Sequence, residues 1–421
     1  MSDKYNARSL IHTEQGKKWL LQFNRQDQEA AAHLANSLTL VSQSEFRRNL
    51  QNKIIKVSEG IDGKVALFSV REIKKNNCRE VIPFYHQVKV SEDGQTVNSV
   101  EDSADLGSEA IVAQLIRQMS KANPSKYLNH PSLEALRSSR CNYIIFVDDF
   151  IGSGRRVRDF LTSFWLVPSV VSWLSTKHIN FKVIAYSGTE TGISWVNEHK
   201  SNPEVLIHME APTINSMFWP SYKKDEVIEL CRKYGRIANK NKKNMWLGFK
   251  QSMATLVFEH GCPNNTPLIL WEPTKGNNQW IGLFPNRAIT ANTMSVFPPE
   301  VVQGDPIKIL QNIGQKTLAK SGAMTRRGEF GQTVLIVLAL IAKSKRKRAS
   351  LCFATGLSVD NFERVIERCI KWQYLTPQRR ITQKGLRELA AARKLKPKES
   401  KSLDIGSFSY YPSQLREAAY D

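Results

Sequence analysis

The chain lacks several features that would make a role easy to assign. Its six cysteines, Cys78, Cys141, Cys231, Cys262, Cys352 and Cys369, stand at least 17 positions apart, so there is no CxxC pair and no zinc-finger spacing. They read as reduced thiols, most of them filling cores, as in a cytosolic protein. No apolar run reaches the roughly 18 residues of a membrane span; the longest, "TVLIVLALIA" at 333–342, is far too short. The opening "MSDKYNARSL" lacks the charged-then-apolar order of a secretory leader. A cytoplasmic location without membrane contact is expected. HExxH and GxSxG are absent, and so is GxxxxGK[ST]: Gly63-Lys64 is followed by Val65, which sets an NTPase aside. Glu259, His260 and Cys262 look like metal ligands, but three such residues in a strand–turn segment are more often packing, and no metal site is assigned.

Acidic residues are also scarce. Lys and Arg number 60 against 39 Asp and Glu, a formal charge of +21. Residues 321–421 hold 20 Lys and Arg against 9 Asp and Glu, so about half the excess sits in the last quarter of the chain. That concentration argues for a dedicated module with a polyanionic partner, nucleic acid first. With 421 residues and 41% apolar content, the chain has material for two or three real cores.

Residues 15–58 show apolar spacing of three and four, predicting helices with Asp27 and Ser44 as N-caps. From about 63 the pattern alternates. "KVALFSV" reads as a strand, "SEAIVAQLIRQMSK" as a helix opened by Ser108, and "YIIFVDD" as a strand followed by a helix near Arg155. "FKVIAYSG" is the next strand, then a helix over 190–200 and the strand "EVLIHM". Such alternation predicts βαβ units and a parallel sheet. A basic helix, "KDEVIELCRKYGRIANK", leads into two strand-like runs around the turn "GCPNN". The expected division is an N-terminal helical segment (1–62), an α/β domain (63–300), a connecting region (301–330), a helical unit (331–396) and a polar tail (397–421).

Residues 143–154, "YIIFVDDFIGSG", carry the densest chemistry. Five large or β-branched residues run into Asp148 and Asp149. A buried carboxylate is costly unless paired, so the acids are expected at the strand's exposed carboxyl end, where open α/β sheets bind ligands. Gly152, Ser153 and Gly154 then supply a turn whose amides, at a helix N-terminus, suit a phosphate. The acids suit a neighbouring diol or a hydrated Mg²⁺. A sugar phosphate across the loop satisfies both. Ser187 ends the next strand and is expected beside the acids.

"IIFVDDFIGSG" resembles the phosphoribosyl-pyrophosphate (PRPP) motif of type I phosphoribosyltransferases: four apolar residues, two acids, then a short loop ending in Thr/Ser-Gly. The resemblance implies that Asp148 and Asp149 hold the ribose hydroxyls while Gly152, Ser153, Gly154 and Arg155 cradle the 5′-phosphate, with Mg²⁺ accompanying PRPP. One residue departs from the pattern. Arg156 stands where the family usually has Thr or Ser; arginine grips phosphate too, but the change puts turnover in question.

More broadly, the helical N-terminus, "FVDDFIGSG" and "LVFEHGCPNNTPLILW" together resemble phosphoribosyltransferase-like proteins of bacterial conflict systems. Some of these carry a C-terminal winged helix and act as toxic effectors of retrons, restrained by a reverse transcriptase and its DNA-linked RNA.

The last unit fits that pairing. "TVLIVLALIAKS" predicts a buried first helix, "KRKRASLCFATG" a basic approach and a second, and "LSVDNFERVIERCIKW" a third capped by Ser358. "QYLTPQRRIT" predicts a hairpin and "QKGLRELAAARK" a last helix. Three helices and a hairpin resemble a winged helix-turn-helix. That likeness implies that Arg364 and Arg368 enter a groove and Arg379 and Arg380 meet phosphates; the basic run Lys345, Arg346, Lys347 and Arg348 is expected to bind nucleic acid as well.

The expected protein is therefore an α/β, parallel-sheet phosphoribosyltransferase-like domain with N-terminal helices and a C-terminal winged helix. Its expected role is a retron-type antiviral effector acting on PRPP or a nucleotide, with DNA or a DNA–RNA hybrid and a reverse transcriptase as partners. The alternatives are a DNA-binding transcription regulator that uses the PRPP fold as a sensor, and a nucleic-acid scaffold with a vestigial pocket.

Overall fold

The computed structural model describes residues 9–87, 89–90, 96–97, 108–217, 219–272, 280–297, 306–326, 329–345, 347–355, 357 and 359–396. The chain opens with α1 (Glu14–Leu20), α2 (Gln28–Asn36), β1 (Thr39–Val41) and α3 (Gln43–Glu59). Then come β2 (Val65–Ser69), a short antiparallel pair β3 (Lys89–Val90) and β4 (Thr96–Val97), α4 (Ser108–Ala122), β5 (Tyr127–Asn129) and α5 (Leu133–Ser138). The central stretch holds β6 (Tyr143–Ile151), α6 (Arg155–Trp165), α7 (Pro168–Ser175), β7 (Asn180–Gly188), α8 (Glu190–Asn197) and β8 (Glu204–Glu210). It is followed by α9 (Ser221–Ala238), β9 (Leu256–Phe258) and α10 (Ala291–Met294).

Five strands pair in the order β5-β2-β6-β7-β8, every neighbour parallel. Helical crossovers cover both faces, which is why the strands read as unbroken apolar runs. Against one face, Phe84, Phe160 and Phe164 pack on Phe68, Phe146 and Phe181. Against the other, Phe46 and Ile54 of α3 and Leu115 and Ile116 of α4 pack on Leu67, Ile145 and Val147. The strand order reverses between β2 and β6, so the loops leaving their carboxyl ends diverge and open a crevice there.

The N-terminal helices do not form a core of their own. Trp19, Phe23, Ala31 and Leu34 share one with Leu230 and Tyr234 of α9 and with Leu268–Leu270 and Trp280. β1 pairs in parallel with β9, Thr39 opposite Leu256, which ties that core to the main sheet. Here the structure departs from the strand pair expected around "GCPNN". Residues Leu268–Leu270, after Pro267, form a 3₁₀ turn buried on all sides, and β9 takes β1 as partner instead. The caps differ too. Ser42 caps α3, accepting from Glu45 N at 3.3 Å, while the Asp27 carboxylate takes Lys233 and the Tyr234 hydroxyl, each at 2.7 Å.

The C-terminal unit comprises α11 (Pro306–Asn312), α12 (Lys316–Ala319), α13 (Ala323–Arg326), α14 (Glu329–Ala342), α15 (Arg348–Thr355), α16 (Val359–Lys371) and α17 (Gln383–Lys394). Residues read as connecting thus contribute core: Leu310, Leu318, Ala319, Ala323 and Met324 join Val334–Ile341 of α14. Phe362, Val365, Ile366 and Cys369 of α16 are buried against them. The wing is smaller than a hairpin, held by one antiparallel bridge, Leu375 to Ile381. Ser358, expected as a cap, lies outside the described residues.

This unit is docked on the sheet. α15 and α16 lie along the edge strand β8, and Val359 packs into the sheet's own core. Arg348 Nε donates to the buried Glu210 carboxylate at the end of β8. Asp360 accepts from Lys53 at 2.9 Å and Lys56 at 3.0 Å, both on α3. The cover also removes an exposed strand edge.

Candidate functional site

β6 carries Asp148 and Asp149 into the crevice, but not at its exposed end. Phe150 and Ile151 continue the ladder opposite Ser187 and Gly188, so the acids lie inside the strand, 2% and 8% exposed. Arg156, in the first turn of α6, makes their burial tolerable. Its Nη2 donates to Asp148 Oδ1 at 2.5 Å and to Asp149 Oδ1 at 2.8 Å. The Asp149 amide adds a bond to Asp148 Oδ1 at 3.0 Å, and the Phe150 amide one to Asp149 Oδ1 at 2.8 Å. Asp148 Oδ2 is buried without a partner. Asp149 Oδ2 faces His260 Nε2 at 3.6 Å.

These surroundings split the pair. Burial raises Asp148 well above the usual carboxylate range, and Arg156 only partly opposes it. For Asp149 burial pushes the same way, but His260 and Arg156 outweigh it and hold the group below that range. Burial disfavours the Arg156 cation; Asp148, Asp149 and Glu109 together more than restore it. Glu109, at the start of α4, is raised by burial against the pull of Arg156. Two adjacent carboxyls driven in opposite directions are a recurring arrangement in acid–base and ligand-binding sites.

The glycine turn is wedged between neighbours. A Cβ on Gly152 would lie 2.1 Å from Asn265 Oδ1, and one on Gly192 2.3 Å from the Gly152 carbonyl. Thr189 Oγ1 donates to that carbonyl at 2.5 Å while capping α8. Gly154 takes φ +76°, a conformation glycine adopts without strain, and so starts α6. Among the described residues, the Ser153, Gly154 and Arg156 amides donate to no protein acceptor, and the Arg155 side chain is exposed. An open helix N-terminus of this kind accepts an anion.

Across the crevice, β2 ends at Ser69, whose amide donates to His130 Nε2 at 2.9 Å. His130 Nδ1 lies 2.7 Å from Asn129 Oδ1, so the ring proton sits on Nδ1 and the imidazole is neutral. Burial lowers its pKa to about 4. Ser187 is fully buried with an unpartnered Oγ: it lies beside the acids in the sheet and lines no open surface.

His260 is the residue that the motif does not reveal. It is stacked on Phe258 at 4.8 Å and enclosed by Phe46, over 100 positions from the acids it faces. Its sequence neighbours go elsewhere. Glu259 Oε2 accepts from the Gln43 amide at 2.6 Å, and Cys262 Sγ lies 3.1 Å from Thr266 Oγ1. Among the described residues no group of three His, Cys, Asp or Glu is placed to hold a metal ion. With Arg156 already between the acids, a protein-held Mg²⁺ does not fit here.

The basic residues divide. Lys345, Arg364, Arg368 and Arg380 are exposed, and Arg346 lies outside the described residues. Lys347 is exposed with its Nζ 4.0 Å from Glu190 Oε2, and Arg348 is committed to Glu210. Arg379 Nη2 contacts both Glu363 oxygens at 2.9 Å.

A parallel sheet with an acid pair and glycine turn at its switch point, joined to a winged helix, defines a phosphoribosyltransferase-like class. The family model described as PRTase-CE matches residues 17–286, and the chain belongs to that family. A second model, described as wHTH-PRTase associated, matches residues 335–417. Searches of the curated proteins and of the solved structures found no match.

Proposed function

We propose that the protein is a toxic effector of a retron-type antiviral system, acting in the cytoplasm on PRPP or a nucleotide and restrained through nucleic acid and a reverse transcriptase. The observation that carries the reading is the pairing of Asp148 and Asp149 with the open amides of Ser153, Gly154 and Arg156. The acids suit ribose hydroxyls and the amides the 5′-phosphate. Mg²⁺ in this reading arrives on the ligand's pyrophosphate and is not held by the protein. Restraint is supported by the docking of the basic winged helix on β8, where Arg348 meets Glu210.

Expression without its restraining partners should arrest growth, and Asp148→Asn with Asp149→Asn should relieve the arrest at equal protein level. Arrest that survives the double substitution removes the enzymatic origin.

The position of Arg156 favours a second reading. Its guanidinium occupies Oδ1 of both acids, where a ribose would bind. That disfavours turnover and leaves the open amides to take the phosphate of PRPP, which supports a sensor in a DNA-binding regulator. Tolerated expression, with PRPP altering DNA affinity, would mark the sensor.

A further inference from the structure

Three aromatic rings meet where α16 runs out into the wing: Phe330 from α14, Trp372 and Tyr374. Phe330 and Trp372 pack edge to face at 6.1 Å, and Trp372 and Tyr374 at 5.8 Å. Phe330 is 47% and Trp372 38% exposed, although large rings are usually covered. Beside them lies a cleft of about 250 Å³ lined by Gly331, Val334, Trp372, Tyr374 and Lys384. The wall at Gly331 has no side chain to fill it. Cations frame the rings: Arg368 Cζ is 5.8 Å from the Trp372 centroid, and Lys384 Nζ 5.9 Å from that of Tyr374. Among the described residues no carboxylate lines the cleft, and Glu388 nearby accepts from the Tyr374 hydroxyl at 3.4 Å.

Flat π faces beside an open wall, with positive charge on the rim, suit a base and its phosphate. An apolar peptide would have no use for the cations, and duplex DNA offers no free base face. We propose that Phe330, Trp372 and Tyr374 form a stacking site for an unpaired nucleobase whose phosphate lies against Arg368 and Lys384. The site continues the exposed stripe Arg364, Arg368 and Lys371. It rests on the nucleic-acid reading of the winged helix and specifies its partner: a structure with a single-stranded nucleotide, not a duplex alone.

The test uses the full chain with two DNA hairpins of equal charge, each closed by a non-nucleotide linker so that no loop base is unpaired, one blunt and one carrying a short single-stranded extension. Trp372→Ala and Phe330→Ala should each weaken binding of the extended hairpin by roughly 5- to 150-fold, the range for losing one base stack, and leave the blunt one unchanged. Radical footprinting should show both rings oxidised in the free protein and protected by the extended hairpin. Equal affinity of the variants for the extended hairpin overturns the proposal. So does protection of the rings in the free chain that is lost on deleting residues 397–421, because the tail is then the occupant. Failure of the unaltered protein to bind either hairpin instead removes the nucleic-acid reading itself.

Discussion

At the scale of single residues, Arg156 sets what the acid pair can do. The motif makes Asp148, Asp149 and the glycine turn legible, because strand, acids and turn are contiguous. Nothing local shows that Arg156 turns inward or that His260 faces Asp149, since both depend on tertiary packing. The acids are buried but the Arg156 side chain is about a third exposed, so Arg156→Ala should cost less than the roughly 3–5 kcal/mol of a fully buried pair in denaturant-unfolding stability. Arg156→Thr lifts the guanidinium off both Oδ1 atoms and should tighten PRPP binding despite a similar loss; unchanged or weaker binding would show that Arg156 does not block the acids. Histidine burial adds a pH dependence. His130, His199 and His208 are each lowered to about 4, burial being the first cause. Their ordinary value is near 6.5, so this stability is complete above pH 6.5 and lost as pH falls toward 4. The unfolding midpoint should drop between pH 7 and pH 5, and His130→Asn should flatten the drop. Asp148, raised by burial, works the other way and favours the fold in acid.

Among the elements, the strands and helices of the sheet follow from alternating apolar runs, as do the four longest helices of the C-terminal unit. Two segments do not. "LILW" has strand composition, yet Pro267 and burial on every side turn it into a 3₁₀ element. The stretch around 306–326 reads as linker because Pro298-Pro299, Gly304-Asp305-Pro306 and "SGAMTRRGEFG" punctuate it, but each of Leu310, Leu318 and Met324 is buried. The wing's basic residues also separate only in three dimensions. Arg379 is engaged with Glu363, whereas Arg380 is exposed. In a salt titration of nucleic-acid binding, Arg380→Gln and Lys345→Gln should each flatten the log–log slope by about 0.7–0.9. Arg379→Gln should leave the slope nearly unchanged and lower stability instead. An Arg379 variant that flattens the slope as much as Arg380 would contradict the assignment.

Across the whole molecule, one chain of contacts joins the basic unit to the glycine turn. Lys347 approaches Glu190, the first residue of α8, and Thr189 Oγ1 donates to the Gly152 carbonyl while Gly192 packs closely against it. Arg348 meets Glu210, directly opposite Gly188. A polyanion competing for Lys347 and Arg348 should loosen the docking, so PRPP and nucleic acid should change each other's affinity by the same factor. Glu210→Gln should reduce that coupling while leaving the affinity for PRPP alone little altered. Equal coupling in the variant would mean that another path carries it.

The central claim is that the acids and the open amides together bind a ribose phosphate. Calorimetric titration of PRPP into the full chain and into Asp148→Asn/Asp149→Asn, with unfolding curves recorded alongside, tests it most directly. Hydrogen bonds to charged groups contribute about 1.5–3 kcal/mol each, so a folded double variant should bind roughly 10- to 100-fold more weakly for each bond lost. Equal affinity in the two proteins, or no heat from PRPP in the unaltered one, would contradict it.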